Sequence, residues 1–309
     1  MGTMPHTNPA LPALALVLNA LIWGTSWWPL RQLQALGLHP LWATVVVYLL
    51  AVALIGVTRP SSFARVLRTP ALWVLVLASG ATNAAFNWGV VIGDVVRVVL
   101  LFYLMPLWTA LLAHALLKEP LTRAAGLRVA LGLAGAAIVL WPAGASGWDA
   151  LPWPRALPDW LGVLGGFSFA LNNVMLRREA QRSGADRALA MFIGGAVVAG
   201  VLACTLAANA QLPWPPAPAP AWLGLALALA LLFLLSNAAL QFGASRLPAN
   251  VTSLVMLAEV VFASASSMWW GGGRLTMPLL AGGGLIVLAA LWAATRQPTP
   301  AEVQRPTPA

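Results

Sequence analysis

Thr82-Asn83-Ala84-Ala85-Phe86-Asn87-Trp88-Gly89 is answered, 154 positions later, by Ser236-Asn237-Ala238-Ala239-Leu240-Gln241-Phe242-Gly243. Every aligned pair is identical or chemically close. Alanine on alanine means little in an apolar chain, but Asn on Asn and Asn on Gln, four residues apart, are rare coincidences. Keeping the offset brings Leu121-Thr122 onto Leu275-Thr276 without a gap. The chain reads as a duplication.

Both segments sit in apolar surroundings. Hydrophobic residues make up 60% of the 309 and charged residues 8%, against roughly 25% charged in a soluble globular chain. So few charges cannot cover a water-soluble surface, and the chain belongs in a lipid bilayer. A helix needs about 20 apolar residues to cross the hydrocarbon core. That ruler predicts ten spans, at 11–30, 40–57, 71–92, 95–117, 127–142, 160–176, 188–208, 222–243, 250–270 and 277–294. The duplicated segments fall in spans three and eight, so the repeating unit is five spans. Five is odd, and the second copy enters upside down. The expected fold is an all-α polytopic membrane protein, with ten transmembrane helices as a 5+5 inverted repeat. Its parts are a cytoplasmic tail (1–10), a first repeat (11–142), a periplasmic connecting loop (143–159), a second repeat (160–294) and a second cytoplasmic tail (295–309).

Basic residues stay on the cytoplasmic side of a membrane. With the N-terminus inside, thirteen of the 17 Lys and Arg fall on cytoplasmic segments. The other four are Arg31, Arg97, Arg155 and Arg274. This predicts both termini in the cytoplasm and makes the +9 net charge a matter of topology, with no nucleic-acid partner. Tryptophans such as Trp27, Trp28, Trp141, Trp148, Trp214, Trp269 and Trp270 gather at the predicted outer ends, as in an interfacial belt. Lysine is nearly absent beside arginine, a bias expected of a GC-rich bacterial genome, hence a bacterial inner membrane. The single cysteine, Cys204, excludes a disulfide framework and a cysteine-based metal site.

Inverted repeats are the architecture of secondary transporters, in which two related halves rock about a site near the bilayer midplane. No Walker sequence for ATP is present. Nor is there a His-Glu-x-x-His or Gly-x-Ser-x-Gly motif, which argues against a membrane enzyme. A channel is the other alternative, and it calls for repeated rings of charges or carbonyls. No cofactor or metal is expected.

Four pieces carry a family resemblance. They are Leu21-Ile22-Trp23-Gly24-Thr25, Phe102-Tyr103-Leu104-Met105-Pro106-Leu107-Trp108-Thr109, Lys118-Glu119-Pro120-Leu121-Thr122 running on to Gly132 and Gly135, and Leu257-Ala258-Glu259-Val260-Val261-Phe262-Ala263. In this order on ten spans the chain resembles the EamA-type transporters of the drug/metabolite transporter superfamily. It departs from them at Glu259-Val260, where the family usually has Glu-Pro, and at Gly273-Arg274, where Gly-Glu is usual. The resemblance implies export of small metabolites, amino acids and related amphipathic compounds first among them. A pH-independent facilitator or channel stands as the alternative. Protons are a candidate coupling ion, and the expected assembly is a monomer or homodimer in the lipid bilayer.

Polar side chains at mid-span depth are costly in lipid and are site candidates for that reason. Asn83 and Asn87 share a helix face, and Asn237 and Gln241 repeat the arrangement. Inverted symmetry would set the two pairs across a central cavity; the alternative role is hydrogen bonding between packed helices. Glu259 is the carboxylate deepest in a span. It is a candidate for gripping a substrate ammonium, for carrying the coupling proton, or for a structural hydrogen bond. Arg97 opens span four with Asp94, either to receive a substrate carboxylate or to reach the headgroups. Tyr103 and Trp108 flank Pro106, which can hinge that span. Trp23, Asn172 and Asn173 sit on spans one and six and complete the substrate-facing candidates, while His114 reads as structural.

Overall fold

The computed structural model of the chain describes residues 10–93, 95–141, 154–270 and 276–295. Among these residues every regular element is a helix, as expected. The first half holds α1 (Ala10–Thr25), α2 (Trp27–Ala35), α3 (Pro40–Thr58), α4 (Ser61–Arg68), α5 (Pro70–Ile92), α6 (Val95–Phe102), α7 (Met105–Leu117) and α8 (Arg123–Leu140). The second holds α9 (Leu157–Arg178), α10 (Gly184–Ala208), α11 (Pro220–Ala244), α12 (Ala249–Met256), α13 (Ala258–Trp270) and α14 (Met277–Thr295). Most of the two tails, most of the connecting loop, and Asp94 lie outside the described residues.

Local chemistry explains the boundaries. Proline opens α3, α5 and α11, where the missing N–H would have had no partner. Ser183 caps α10 through the N–H of Ala185, and Thr122 caps α8 through that of Ala125. Thr276, the repeat counterpart of Thr122, caps α14 through Leu279. The Lys118–Thr122 motif therefore works as a connector. Lys118 ends α7 in the left-handed region at φ 60°, and Glu119 accepts the N–H of Ala249 at 3.2 Å, at the start of α12.

Two spans are interrupted at matching places. Span four breaks at Tyr103-Leu104 between α6 and α7, and span nine at Leu257 between α12 and α13. Val95 and Ala249, which open α6 and α12, are 154 positions apart; so are Arg123 and Met277, which open α8 and α14. Pro106, in the first turn of α7, has no N–H to continue the ladder. Glu259, which the sequence places deep inside one helix, is instead in the first turn of α13.

Six stretches are long and apolar enough to cross a membrane: Ala10–Ala35, Pro40–Thr58, Val98–Leu117, Gly184–Ala208, Pro220–Ala244 and Ala249–Trp270. The pair α4 and α5, bent by 95°, makes a seventh if taken together. Length and apolarity thus give fewer spans among the described residues than the ten expected. The helices not counted are α8, α9 and α14, the last of which gives a shorter apolar stretch, Met277–Trp292.

Glycines bring the helices together, as small residues do in membrane packing. A Cβ on Gly194 of α10 would lie 2.0 Å from the Val76 carbonyl oxygen of α5, and one on Gly24 of α1 would lie 2.8 Å from that of Glu259. Gly135 of α8 and Gly282 of α14 face one another equally closely. Tryptophans mark one end of the bundle. Trp27 Nε1 donates to Ser266, Trp28 lies 6.2 Å from Trp270, and Trp42 lies 5.9 Å from Trp214.

Candidate functional site

The duplicated amides line two separate cavities. Asn83 and Asn87 on α5 border a small one of about 20 Å³ with Trp23, Thr44, Tyr48 and Phe233, room for about one water. Both amides are tied to α3. Tyr48 Oη donates to Asn83 Oδ1 at 2.9 Å, and Asn87 Nδ2 donates to Thr44 Oγ1 at 2.9 Å. Thr44 and Tyr48 are one turn apart, as are Asn83 and Asn87, so the four form a two-rung ladder between helices.

Asn237 and Gln241 on α11 border a cavity of about 320 Å³, between the end of α3, the start of α10 and α11. Gln241 Nε2 donates to Asn237 Oδ1 at 2.6 Å, and Asn237 Nδ2 reaches the sulfur of Met191 at 3.3 Å. Gln241 Oε1 is buried without a hydrogen-bond partner. Arg187, which is buried, and Arg246, which is exposed, also line this cavity.

An aromatic cluster adjoins the small cavity. Phe233, one turn before Asn237 on α11, stacks on Trp23 at 4.5 Å and meets Tyr48 edge-on at 6.2 Å. Tyr48 is also edge-on to Phe192 at 5.2 Å, and a Cβ on Gly195 would strike its ring at 2.1 Å. Phe233 borders the small cavity, while Asn237 and Gln241, farther along the same helix, border the large one.

The remaining candidates lie elsewhere. Glu259 is half-buried at the α12–α13 break, in electrostatic reach of Tyr103 at the matching α6–α7 break. Asn172 and Asn173 on α9 are buried, and neither end of either amide has a hydrogen-bond partner. Arg97 belongs to α6, and its side chain lies outside the described residues. Trp108 meets Phe167 edge-on at 5.8 Å, and His114 Nδ1 sits 2.9 Å from the Glu119 carbonyl. Among the described residues no group of acids, histidines and cysteines is arranged to hold a metal.

Sequence reasoning missed Tyr48, Arg187 and Arg246. Tyr48 is one of two tyrosines, and its hydroxyl at mid-span was the available signal. The two arginines were counted only as markers of topology.

Apolar helices of membrane-crossing length border a cavity lined by amides, two arginines and apolar side chains. Residues 10–141 match the EamA-like transporter family. Among solved structures, one crystal structure is similar with a TM-score of 0.72 at 19% identity, over 92% of this chain and 96% of the other. That likeness concerns the fold alone. No curated protein matches the sequence.

Proposed function

We propose that this chain is a secondary transporter that exports small metabolites, amino acids and related amphipathic compounds first, by alternating access between two inverted five-helix halves. The observation that carries the reading is the pair of unequal cavities on equivalent helices. One amide pair is closed around space for about one water, and its counterpart opens into about 320 Å³. Two related halves caught in opposite conditions are what an alternating-access carrier presents when open to one side. The matched breaks at Tyr103-Leu104 and Leu257 support it too, because discontinuous helices are where transporters bend and bind. In this reading α1 with α2, α3, α4 with α5, α6 with α7, and α8 are the first five spans, and α9 to α14 the second five. The arginine-lined cavity then faces the cytoplasm of a bacterial inner membrane.

Saturable counterflow of labelled amino acids in proteoliposomes is the test. Single-channel currents without saturation would make the chain a channel. Glu259, at the break of span nine, is assigned the coupling proton. Glu259→Gln should abolish flux driven by a pH gradient and leave substrate exchange intact, because exchange moves no net proton. Loss of both together would assign Glu259 to substrate binding instead. Orientation is checked by cysteine probes at Ser61 and Ser183 after replacing Cys204. Labelling of either from outside intact cells overturns the cytoplasmic assignment.

A further inference from the structure

The large cavity combines two cations, an unsatisfied acceptor and an apolar wall, and each belongs to a different part of a ligand. Arg187 is 5% exposed. Its Nη1 donates to the carbonyls of Leu176 at 3.1 Å and Glu179 at 3.4 Å, at the end of α9, and its Nε has no partner. Arg246 stacks over Phe242 at 3.8 Å and donates through Nη1 to the Phe242 carbonyl at 3.0 Å and to Ser245 Oγ at 3.2 Å. The two guanidinium groups are close enough to act on each other's charge. Neighbouring acids are engaged elsewhere. Asp186 is held by Arg65 through two bonds of 2.7 and 2.8 Å, and Glu179 by Arg182. Among the described residues neither guanidinium has a carboxylate in contact, although the charge of Glu179 reaches Arg187; two such cations on one cavity call for an anion.

Deeper in, Gln241 offers the opposite chemistry. Asn237 occupies one end of its amide, and the other end is buried and unpartnered. That end lies 3.7 Å from where a Cβ on Gly184 would stand, and Gly184 borders the same cavity. An unpartnered buried acceptor costs about 1–3 kcal/mol unless a donor arrives. Ile55, Leu234 and Ala238 supply an apolar wall. A cavity of about 320 Å³ is at the small end of ligand sites, which run from about 300 Å³.

Resting on the transport reading above, we infer that this cavity is a two-point site for a solute carrying a carboxylate. The acid group is held by Arg187 and Arg246, a neighbouring ammonium or hydroxyl donates to Gln241 Oε1, and an apolar side chain lies on the Ile55–Leu234 wall. Among small metabolites the cavity then selects zwitterions and hydroxy acids over amines, amides and sugars. The shared chemistry is an anion on paired arginines, and a lipid phosphate is its other source. The inward continuation to Gln241 favours the solute.

Binding to the purified full-length protein tests this without any need for flux. Thermal shift and equilibrium dialysis compare L-phenylalanine with L-phenylalaninamide, and L-leucine with L-leucinamide. The acid of each pair should bind at least tenfold tighter than its amide. Arg246→Gln should erase that preference, and Arg246→Lys should restore most of it. Arg246 is the position to vary, because Arg187 also holds the end of α9 and its loss could unfold the chain. Equal binding of acid and amide, or a preference that survives Arg246→Gln, overturns the site. So does absence of any acid binding. If phosphatidylglycerol stabilises the wild type but not Arg246→Gln, and the acids bind nowhere, the arginines hold a headgroup and the carboxylate site is overturned. Counterflow of a neutral solute by a protein that fails these tests would keep the transporter and discard the site.

Discussion

On α5, Asn83 and Asn87 each meet a hydroxyl from α3, Tyr48 for one and Thr44 for the other. On α11, Asn237 and Gln241 meet α10, where Met191 touches Asn237 and Ala188 borders the same cavity as Gln241. A methyl group cannot satisfy an amide, so Gln241 turns to Asn237 and leaves its oxygen bare. The amides on α5 are thus tied to the facing helix, while those on α11, though more buried, keep an oxygen without a partner, and the facing helices differ in the groups they bring. What a recurring amide pair does can reside in the partners that face it.

The largest effect expected from breaking this comparison is on stability in the closed half. Asn83→Leu leaves the buried Tyr48 hydroxyl without its acceptor, which should cost about 1–3 kcal/mol. Adding Tyr48→Phe should recover most of it, as read by thermal unfolding in detergent. If the second change recovers nothing, the ladder between α3 and α5 is not what holds them.

In the open half the expectation reverses. Gln241→Leu should change the unfolding midpoint little, since water in the cavity can serve Asn237 in its place. Flux should fall about tenfold, the equivalent of one hydrogen bond of about 1.4 kcal/mol. A variant that unfolds as readily as Asn83→Leu would make the two pairs alike after all.

Ala188→Thr tests the cause directly by giving Gln241 the hydroxyl that Asn87 already has. It should stabilise the fold by about 0.5–1.5 kcal/mol, the worth of an added hydrogen bond. The new tether across the cavity should slow counterflow a few-fold. Faster transport would remove the facing helix as the origin of the asymmetry.

The smallest effect concerns the joint between the halves, where Glu119 of the first caps α12 of the second. Burial raises its carboxyl above the usual carboxylate value, against the pull of the Ala249 and Asn250 N–H groups and the charge of Arg177. A raised value means the folded chain binds this proton more tightly than the unfolded one. That contribution is complete below the usual value and is lost as pH rises through the folded one. The unfolding midpoint should therefore slip slightly between acid and neutral pH, and Glu119→Gln should flatten that slope. An unchanged slope would remove Glu119 as its source.

Much of the architecture was legible beforehand because it rests on pattern. Apolar composition implied helices in lipid, prolines and capping hydroxyls marked where helices start, and the offset of 154 carried Thr122 onto Thr276, both of which cap. Pro106 announced the break in span four. Its counterpart at Leu257 has no proline, and the repeat alone could have exposed it. Asn83, Asn87, Asn237 and Gln241 were visible as polar atoms where lipid should be.

Those readings depend on the character of a residue and on spacing along its own helix. Whether an amide is satisfied depends on what a different helix brings to it. Tyr48 reaches Asn83 across 35 positions, and Met191 reaches Asn237 across 46. Arg187 and Arg246, which as sequence only marked a membrane face, come to line one cavity with the end of α3. The sequence by itself determined an apolar helical chain with an amide pattern that recurs 154 positions later. Only the tertiary structure decided which of those groups are spent on one another and which are left for a ligand, because hydrogen bonds and paired charges form between side chains a few ångströms apart in space, however far apart they stand in the chain.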